Sequence, residues 1–379
     1  MESRGTLPAP AIGAGEAPEI AALFDRPGPF VSVYLGTDPE VENAAQLSLA
    51  RWRNVRRDLE SAGAPAAALD AIEALVPDAH HTGRTLAVIA DGTDVVLSRG
   101  ELEPVSADRG RWDALPSVGP FLEWQQSSPT HIVVLCDRVG ADIAVFVPES
   151  AGPNALMSVG DDDSDDPTLR KSKPGGWSQR RYQERAENTW EANAKAVVER
   201  LAKLSGLVDP RLVVLAGDVR AVQFVEDNLP PQLAGLVTKV DGARGVDGGL
   251  DSLSDEIVRA VSTVVATDTV AILEKFREEL GQADRAADGV YATLGALAQA
   301  RVDTLLVHDD PADERECWFA VDAPLAASDP VELKSQGIDS MEKGRLVDVA
   351  IRTAFRTGAR VRVVPSTTAT DGLGAILRY

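Results

Sequence analysis

The sequence has little from which a covalent or metal site could be built. Its 379 residues include two cysteines and four histidines. Cys136 and Cys317 lie far apart, each within or beside an apolar run, which argues against a disulfide framework and favours a reducing compartment. The histidines show no zinc-site spacing, so we expect no metal ion and no other cofactor. They are His80, His81, His131 and His308.

Long apolar runs and nucleotide-binding or nucleophile motifs are also missing. No run approaches the roughly 20 apolar residues that span a bilayer, and no signal peptide is visible. We therefore expect a soluble, cytoplasmic protein without a membrane partner. The glycine-rich segment 242–249 matches neither a P-loop nor a dinucleotide fingerprint and predicts a loop. No Gly-x-Ser-x-Gly elbow is present.

Positive charge is scarce overall but concentrated in one segment. The chain has 38 basic and 59 acidic residues, a formal charge of −21, which argues against a general nucleic-acid binder and against a DNA partner. Between Arg170 and Arg185, however, six basic residues face a single glutamate. A local basic stripe can dock on phosphate even when the whole chain is acidic.

Strand-like and helix-like segments alternate along the chain, which predicts an α/β fold of three small domains with mixed sheets. The predicted divisions are a flexible tail (1–16), an N-terminal domain (17–128), a central domain (129–275) and a C-terminal domain (276–379). The central domain is expected to contain a basic loop at 170–188.

Local composition and periodicity also predict individual elements. The predicted strands include Phe30–Leu35, Thr85–Ala90, His131–Cys136, Ala141–Val147, Arg211–Ala216 and Cys317–Val321. The predicted helices include Asn43–Ala62, Ala186–Leu204 with a stop at Gly206, Ser254–Glu279 and Met341–Thr357.

We call residues 170–188 the basic arm and expect it to be exposed. Gly175 and Gly176 permit close backbone approach, Trp177 and Tyr182 can stack on bases, and arginines can pair with phosphates. The predicted RNA-binding residues are Lys171, Lys173, Gly175, Gly176, Trp177, Ser178, Arg180, Arg181, Tyr182 and Arg185. The alternative is a helix N-terminus with incidental charge, capped by Ser178 or another small residue, but basic residues there oppose the helix dipole.

Two further charged features bear on the arm. The run Asp161–Asp166 precedes it and is typical of a solvated linker; we also consider that it folds back and masks the arm until a polyanion displaces it. A second candidate RNA face consists of four arginines on the predicted helix at 43–62. They are Arg51, Arg53, Arg56 and Arg57.

Two motifs carry a resemblance to a known family. The ending Gly-Leu-Gly-Ala-Ile-Leu-Arg-Tyr at 372–379 resembles the closing signature of archaeal and eukaryotic class 1 release factors and pelota. The segment Lys-Pro-Gly-Gly-Trp-Ser-Gln-Arg-Arg-Tyr at 173–182 resembles the Gly-Gly-x-Ser-Gln loop of their bacterial homologues. Within that group the chain is similar to the actinobacterial branch related to the hibernation factor Balon.

The resemblance implies a function on the ribosome. It implies binding in the ribosomal A site, with the arm near the peptidyl-transferase centre and the GTPase EF-Tu as a partner of the C-terminal domain. Release factors place a glutamine directly after two glycines to organise hydrolysis of peptidyl-tRNA. Here Trp177 and Ser178 separate the glycine pair from Gln179, and no codon-reading Asn-Ile-Lys-Ser motif is present.

Three functions are compatible with these features. The first is a non-enzymatic factor that occupies the A site of idle or stressed ribosomes and protects their active centres. The second is a peptidyl-tRNA hydrolase or rescue factor that uses Gln179. The third is an interaction protein whose arm binds another polyanion. Because two residues separate Gln179 from the glycine pair, the first function is favoured.

Overall fold

The described residues fold into two compact units. The computed structural model describes residues 11–37, 40–101, 105, 107–136, 141–147, 155–159, 190–240, 249–282, 285–365 and 369–379. The terminal unit combines Met1–Gln126 with Thr269–Tyr379, and the central unit is Ser127–Asp268. Parallel and antiparallel strands occur together with helices, so the predicted α/β class with mixed sheets is confirmed.

The N-terminal part of the terminal unit is built on an antiparallel sheet of order β3-β2-β1-β4. Its strands are β1 (Phe30–Gly36), β2 (Thr85–Ala90), β3 (Val95–Glu101) and β4 (Arg109–Asp113). Its helices are α1 (Pro18–Leu23), α2 (Ala44–Ser61), α3 (Ala66–Glu73) and α4 (Gly119–Ser127), with a 3-10 helix at Val76–His81. Trp52, Val55 and Leu59 of α2 are buried against the sheet, as expected for one apolar face of a helix.

The central unit contains a five-stranded sheet of order β7-β6-β5-β8-β9. The strands are β5 (His131–Cys136), β6 (Ala141–Phe146), β7 (Ala155–Val159), β8 (Leu212–Gly217) and β9 (Val237–Lys239). The helices are α5 (Trp190–Val208), α6 (Val219–Asp227), α7 (Pro231–Ala234) and α8 (Gly249–Gln282). Strands β5, β8 and β9 are parallel, and β6 and β7 add antiparallel neighbours.

The C-terminal part of the terminal unit holds two sheets, of orders β10-β16-β11-β15 and β13-β12-β14. The strands are β10 (Ala286–Asp288), β11 (Val302–Val307), β12 (Glu316–Ala320), β13 (Ala326–Ala327), β14 (Met341–Arg345), β15 (Arg360–Val363) and β16 (Leu373–Leu377). The helices are α9 (Val290–Ala298), α10 (Pro330–Ser335) and α11 (Leu346–Arg356), with a 3-10 turn at Thr370–Gly372.

Three local expectations were wrong. The predicted tail 1–16 is packed at its end, because Ile12 and Val361 exchange two backbone hydrogen bonds of 2.8 Å. The predicted helix Met341–Thr357 is a strand up to Arg345, where β14 pairs with β12. Helix α5 continues through Gly206 to Val208, since a glycine costs a helix only about 1 kcal/mol.

Other elements were absent from the sequence-based expectations. Strand β4, strand β7 and helix α4 were not predicted, and β4 has the charged pattern Arg-Gly-Arg-Trp-Asp that favours a sheet edge over a buried strand. Residues 242–248 of the glycine-rich segment predicted as a loop lie outside the described residues. Its last residue, Gly249, is the first residue of α8. No helix in the described part of the chain is long and apolar enough to cross a bilayer.

Candidate RNA-binding site

The central sheet is covered by helices on both faces. Alternate side chains of β5, β6 and β8 pack on one face against α5 and α6. The intervening side chains, including Val133, Ala144 and Val214, pack on the other face against the first part of α8. Runs such as Ile-Val-Val-Leu at 132–135 are apolar throughout because parallel strands in such a layer bury both faces. The central unit therefore has three layers, with the sheet between two layers of helices.

The turn from β8 into helix α6 shows how closely the central unit is packed. Gly217 has φ +121°, and a Cβ there would collide with the Cys136 carbonyl oxygen. Directly after it, the Asp218 carboxylate accepts hydrogen bonds from the N–H groups of Arg220 and Ala221. A glycine followed by an aspartate N-cap therefore allows β8 to turn at once into a helix.

The basic arm belongs to the segment that connects β7 to α5. Strand β7 ends at Val159 on one edge of the sheet, and α5 begins at Trp190. Every predicted RNA-binding residue lies outside the described residues, and so do Gln179, Asp161–Asp166 and the proposed Ser178 cap. The structure shows only where this connecting segment leaves β7 and where it enters α5. The roles of the arm residues stay predictions.

A partly buried ion pair joins α8 to the residue that precedes β8. Arg211, just before β8, directs Nη2 to both carboxylate oxygens of Asp268, each at 2.7 Å. Asp268 is 7% exposed. The Arg211 backbone N–H also donates to the Thr130 carbonyl at 2.8 Å. This pair was not predicted, because a sequence separation of 57 residues leaves no local signal.

Helix α2 presents two free arginines, not four. Arg56 is held by Glu60, Asp70 and Glu73, the last of which also accepts from the Trp52 indole at 2.9 Å. Arg51 lies 3.6 Å from Asp108.

Arg53 and Arg57 are exposed, and among the described residues neither forms an ion pair. The second candidate RNA face is thus reduced to these two side chains.

The C-terminal motif has a structural explanation. A Cβ at Gly374 would lie 2.8 Å from both the Phe276 ring and the Ala369 side chain, so the glycine lets α8 approach β16. Arg378 donates to the carbonyls of Ala300 at 3.0 Å and Gly358 at 2.7 Å. The motif therefore supplies an interior strand of the sheet and binds the C-terminal ends of α9 and α11.

His131 and the two cysteines are buried side chains. His131 stacks on Phe146 at 4.7 Å, and burial lowers its pKa. Both cysteines are buried, and burial raises the pKa of Cys317 to about 12. Among the described residues no three His, Cys, Asp or Glu side chains come together in a way that could hold a metal ion.

The family comparison matches the part of the chain that contains the basic arm. Residues 130–282 match the model of bacterial archaeo-eukaryotic release factor family 2. The predicted relationship to the archaeal and eukaryotic release factors and their bacterial homologues is thereby confirmed. The matched range begins just before β5 and ends with the last residue of α8.

Two relatives are similar over most of the chain. The Mycobacterium tuberculosis proteins MT2704 and Rv2629, both described as uncharacterized, are 26% identical over 372 residues, 94% of this chain and 95% of theirs.

Among solved structures, ribosome-bound archaeal Pelota gives a TM-score of 0.41 at 15% identity, over 78% of this chain and 82% of Pelota. Saccharomyces cerevisiae Dom34 gives 0.36 at 12% identity over 66% of this chain. The chain spans 63% of the length of Dom34.

Proposed function

We propose that this protein is a ribosome-binding factor that occupies the A site of idle or stressed ribosomes and protects their active centres. The observation that carries the proposal is the family match over residues 130–282, which includes the whole basic arm. In this proposal the arm reaches ribosomal or transfer RNA near the peptidyl-transferase centre.

The composition of the arm supports RNA as its target. Six cations within 16 residues stand against one glutamate, in a chain whose formal charge is −21. Arginines pair with phosphates through two parallel hydrogen bonds, and Trp177 and Tyr182 offer ring faces for stacking. An acidic body with a basic arm favours one orientation on a polyanion, because the rest of the chain is repelled.

We propose binding without cleavage as the activity of the arm. Hydrolysis would need Gln179 to bring its side chain and backbone amide to the ester that is attacked. Trp177 and Ser178 separate it from the glycine pair. A displacement of about 1 Å in such a site can cost on the order of a hundredfold in rate, and two inserted residues add more than that length of chain between the glycines and the glutamine.

The GTPase partner belongs to the same proposal. The resemblance implies that EF-Tu delivers or accompanies the factor and contacts its C-terminal domain. Purified EF-Tu in its GTP and GDP forms should then be retained by the immobilised full chain. A truncation that removes residues 269–379 cannot locate the EF-Tu contact, because those residues form one folded unit with Met1–Gln126. Chemical cross-linking of the intact complex should instead show whether EF-Tu contacts the C-terminal domain.

Co-sedimentation with ribosomes tests the role of the arm. Replacing Arg180, Arg181 and Arg185 together by alanine should weaken binding and reduce the slope of log affinity against log salt by about 2, from roughly 0.7 per lost phosphate contact. The matched control removes three exposed cations elsewhere. They are Arg220, Arg277 and Lys334. If both triple variants bind alike, the arm does not contact the ribosome.

A second experiment separates binding from hydrolysis. Stalled ribosomes carrying labelled peptidyl-tRNA are incubated with the native chain or with Gln179→Ala. We expect no ester cleavage above background with either protein and equal ribosome binding. Cleavage by the native chain that Gln179→Ala abolishes would instead establish the hydrolase.

A further inference from the structure

A buried charged cluster lies at the seam between the two parts of the terminal unit. Its centre consists of Asp309, which follows β11, Arg345 at the end of β14, and Asp348 in α11. The three side chains are 2%, 3% and 1% exposed. Charges withdrawn from water to this extent persist only when they are paired or neutralised.

One guanidinium serves both carboxylates. Arg345 Nη2 lies 2.6 Å from Asp309 Oδ1, and Nη1 lies 3.7 Å from Asp348 Oδ2. The same side chain also donates to the carbonyls of Asp310 at 2.7 Å and Asp313 at 3.0 Å. Among the described residues, the carboxylate oxygens of Asp309 and Asp348 accept no hydrogen bond of normal geometry.

The N-terminal part covers this cluster. Gly119, the first residue of α4, lies so close that a Cβ there would overlap Oδ2 of Asp309. Asp113 of β4 lies beside β14, with Oδ1 3.7 Å from the place of a Cβ on Gly344. Tyr34 of β1 is buried within electrostatic range of Asp309 and Asp348, and its hydroxyl donates to the Ser117 carbonyl.

The surrounding charges leave an excess of carboxylates. Arg111 is matched by Glu314 through two hydrogen bonds of 2.8 Å, and Arg315 is matched by Asp313. Arg109 lies over the Tyr34 ring. Asp113 and Glu123 also face the cluster, within electrostatic range of Asp348 and Asp309 respectively. His308 lies near Glu123, and Glu316, near Asp113, is matched by Lys343. In the described part of the chain, Arg345 is therefore the one cation that faces both buried acids directly.

We propose that this cluster is a proton-linked latch. Asp348 binds a proton in the folded chain, which relieves the excess negative charge and holds the N-terminal and C-terminal parts of the terminal unit together. Loss of that proton leaves two buried carboxylates against one guanidinium and loosens the seam. The latch does not depend on the function proposed for the arm.

The electrostatic surroundings of Asp348 favour this proton. Burial raises its pKa to about 7, Arg345 acts in the opposite direction, and Asp309 raises it further. Because the folded pKa exceeds the ordinary value of 3.8, the folded chain binds more protons than the unfolded chain between these two values. The contribution of Asp348 to stability is therefore fully present below its ordinary pKa of 3.8 and falls as the pH rises toward 7.

Replacement of Asp348 by asparagine tests the latch in the full chain. Between about pH 5 and pH 7, the unfolding constant of the native terminal unit should rise about tenfold per pH unit relative to Asp348→Asn. At pH 6, unfolding should release about one proton more from the native chain. Asp339→Asn removes an exposed carboxylate and should behave as the native protein. His131, whose pKa is lowered by burial, is common to all three.

Hydrogen exchange of the native chain provides a readout that needs no variant. After correction for intrinsic rates, amides of α4 and β15 should be less protected at pH 8 than at pH 6, while β5 and β8 of the central unit serve as the reference. Equal protection at both pH values would overturn the proposal. So would identical pH dependence of the native chain and Asp348→Asn.

Discussion

The side-chain amide of Gln126 forms hydrogen bonds with the backbone of β15, as a neighbouring strand would. Its Oε1 accepts from the Val363 N–H at 3.0 Å, and its Nε2 donates to the Val361 carbonyl at 2.9 Å. Gln126 is the last residue of the N-terminal segment of the terminal unit and is buried. A single glutamine thus joins sequence segments 237 residues apart.

We predict that Gln126→Ala destabilises the terminal unit by about 1–3 kcal/mol, because the Val363 N–H loses its partner while buried. The denaturation midpoint in urea measures the loss. Gln336→Ala, at an exposed position, is the control and should leave the midpoint unchanged. Equal midpoints for all three proteins would show that water replaces the amide.

The Arg211–Asp268 pair should stabilise the central unit. Asp268→Ala leaves the guanidinium partly buried without its anion, and we expect a loss of about 3 kcal/mol. The exposed pair Lys239–Glu226 provides the comparison, with an expected loss below about 1 kcal/mol. Both are measured by urea unfolding of the full chain, and equal losses would contradict the assigned burial.

Two glycine substitutions should act in opposite directions. Gly374→Ala brings a Cβ within 2.8 Å of the Phe276 ring and the Ala369 side chain, so the melting temperature should fall. Gly295 lies inside α9 with no atom within 4 Å of a Cβ, so Gly295→Ala should preserve or raise it by reducing unfolded-chain entropy. A harmless Gly374→Ala would remove the structural explanation of the C-terminal motif.

Neutralising the acidic run tests whether it masks the arm. With the five aspartates of 161–166 changed to asparagine, we expect single-stranded RNA to bind several-fold more tightly, since a competing anion is lost. The control removes five exposed acids elsewhere and so matches the change in net charge. They are Asp58, Glu278, Asp303, Asp339 and Glu342. Equal affinity for both variants excludes masking.

The sequence predicted the strands of the central sheet except β7, and it predicted none of the contacts at the seam. His131–Cys136 was predicted with its observed bounds, because a short β-rich run between breakers is a local signal. The strand Met341–Arg345 was assigned to a helix, because its pairing with β12 is a long-range contact. Gln126 and Arg345 had no predicted role, since Gln126 binds backbone groups far along the chain and Arg345 binds Asp309 and two distant carbonyls.

In the candidate site, too, local features were predicted from the sequence and long-range contacts were not. Composition alone indicated the basic arm, and the observed ends of β7 and α5 show where it joins the fold. The arginines of α2 looked equivalent in sequence, yet folding pairs Arg51 and Arg56 with acids and leaves Arg53 and Arg57 exposed. Charge counts cannot reveal such pairing, because three of the four partner acids, Asp70, Glu73 and Asp108, come from outside α2.

The central claim is that the basic arm reaches the catalytic centre of the ribosome. A cryo-EM map of the full chain on the ribosome of its own species tests this most directly. We predict density for the factor in the A site, with Trp177 and Gln179 beside the peptidyl-transferase centre and Arg180, Arg181 and Arg185 against RNA phosphates. A factor bound elsewhere, or an arm directed away from RNA, would contradict it.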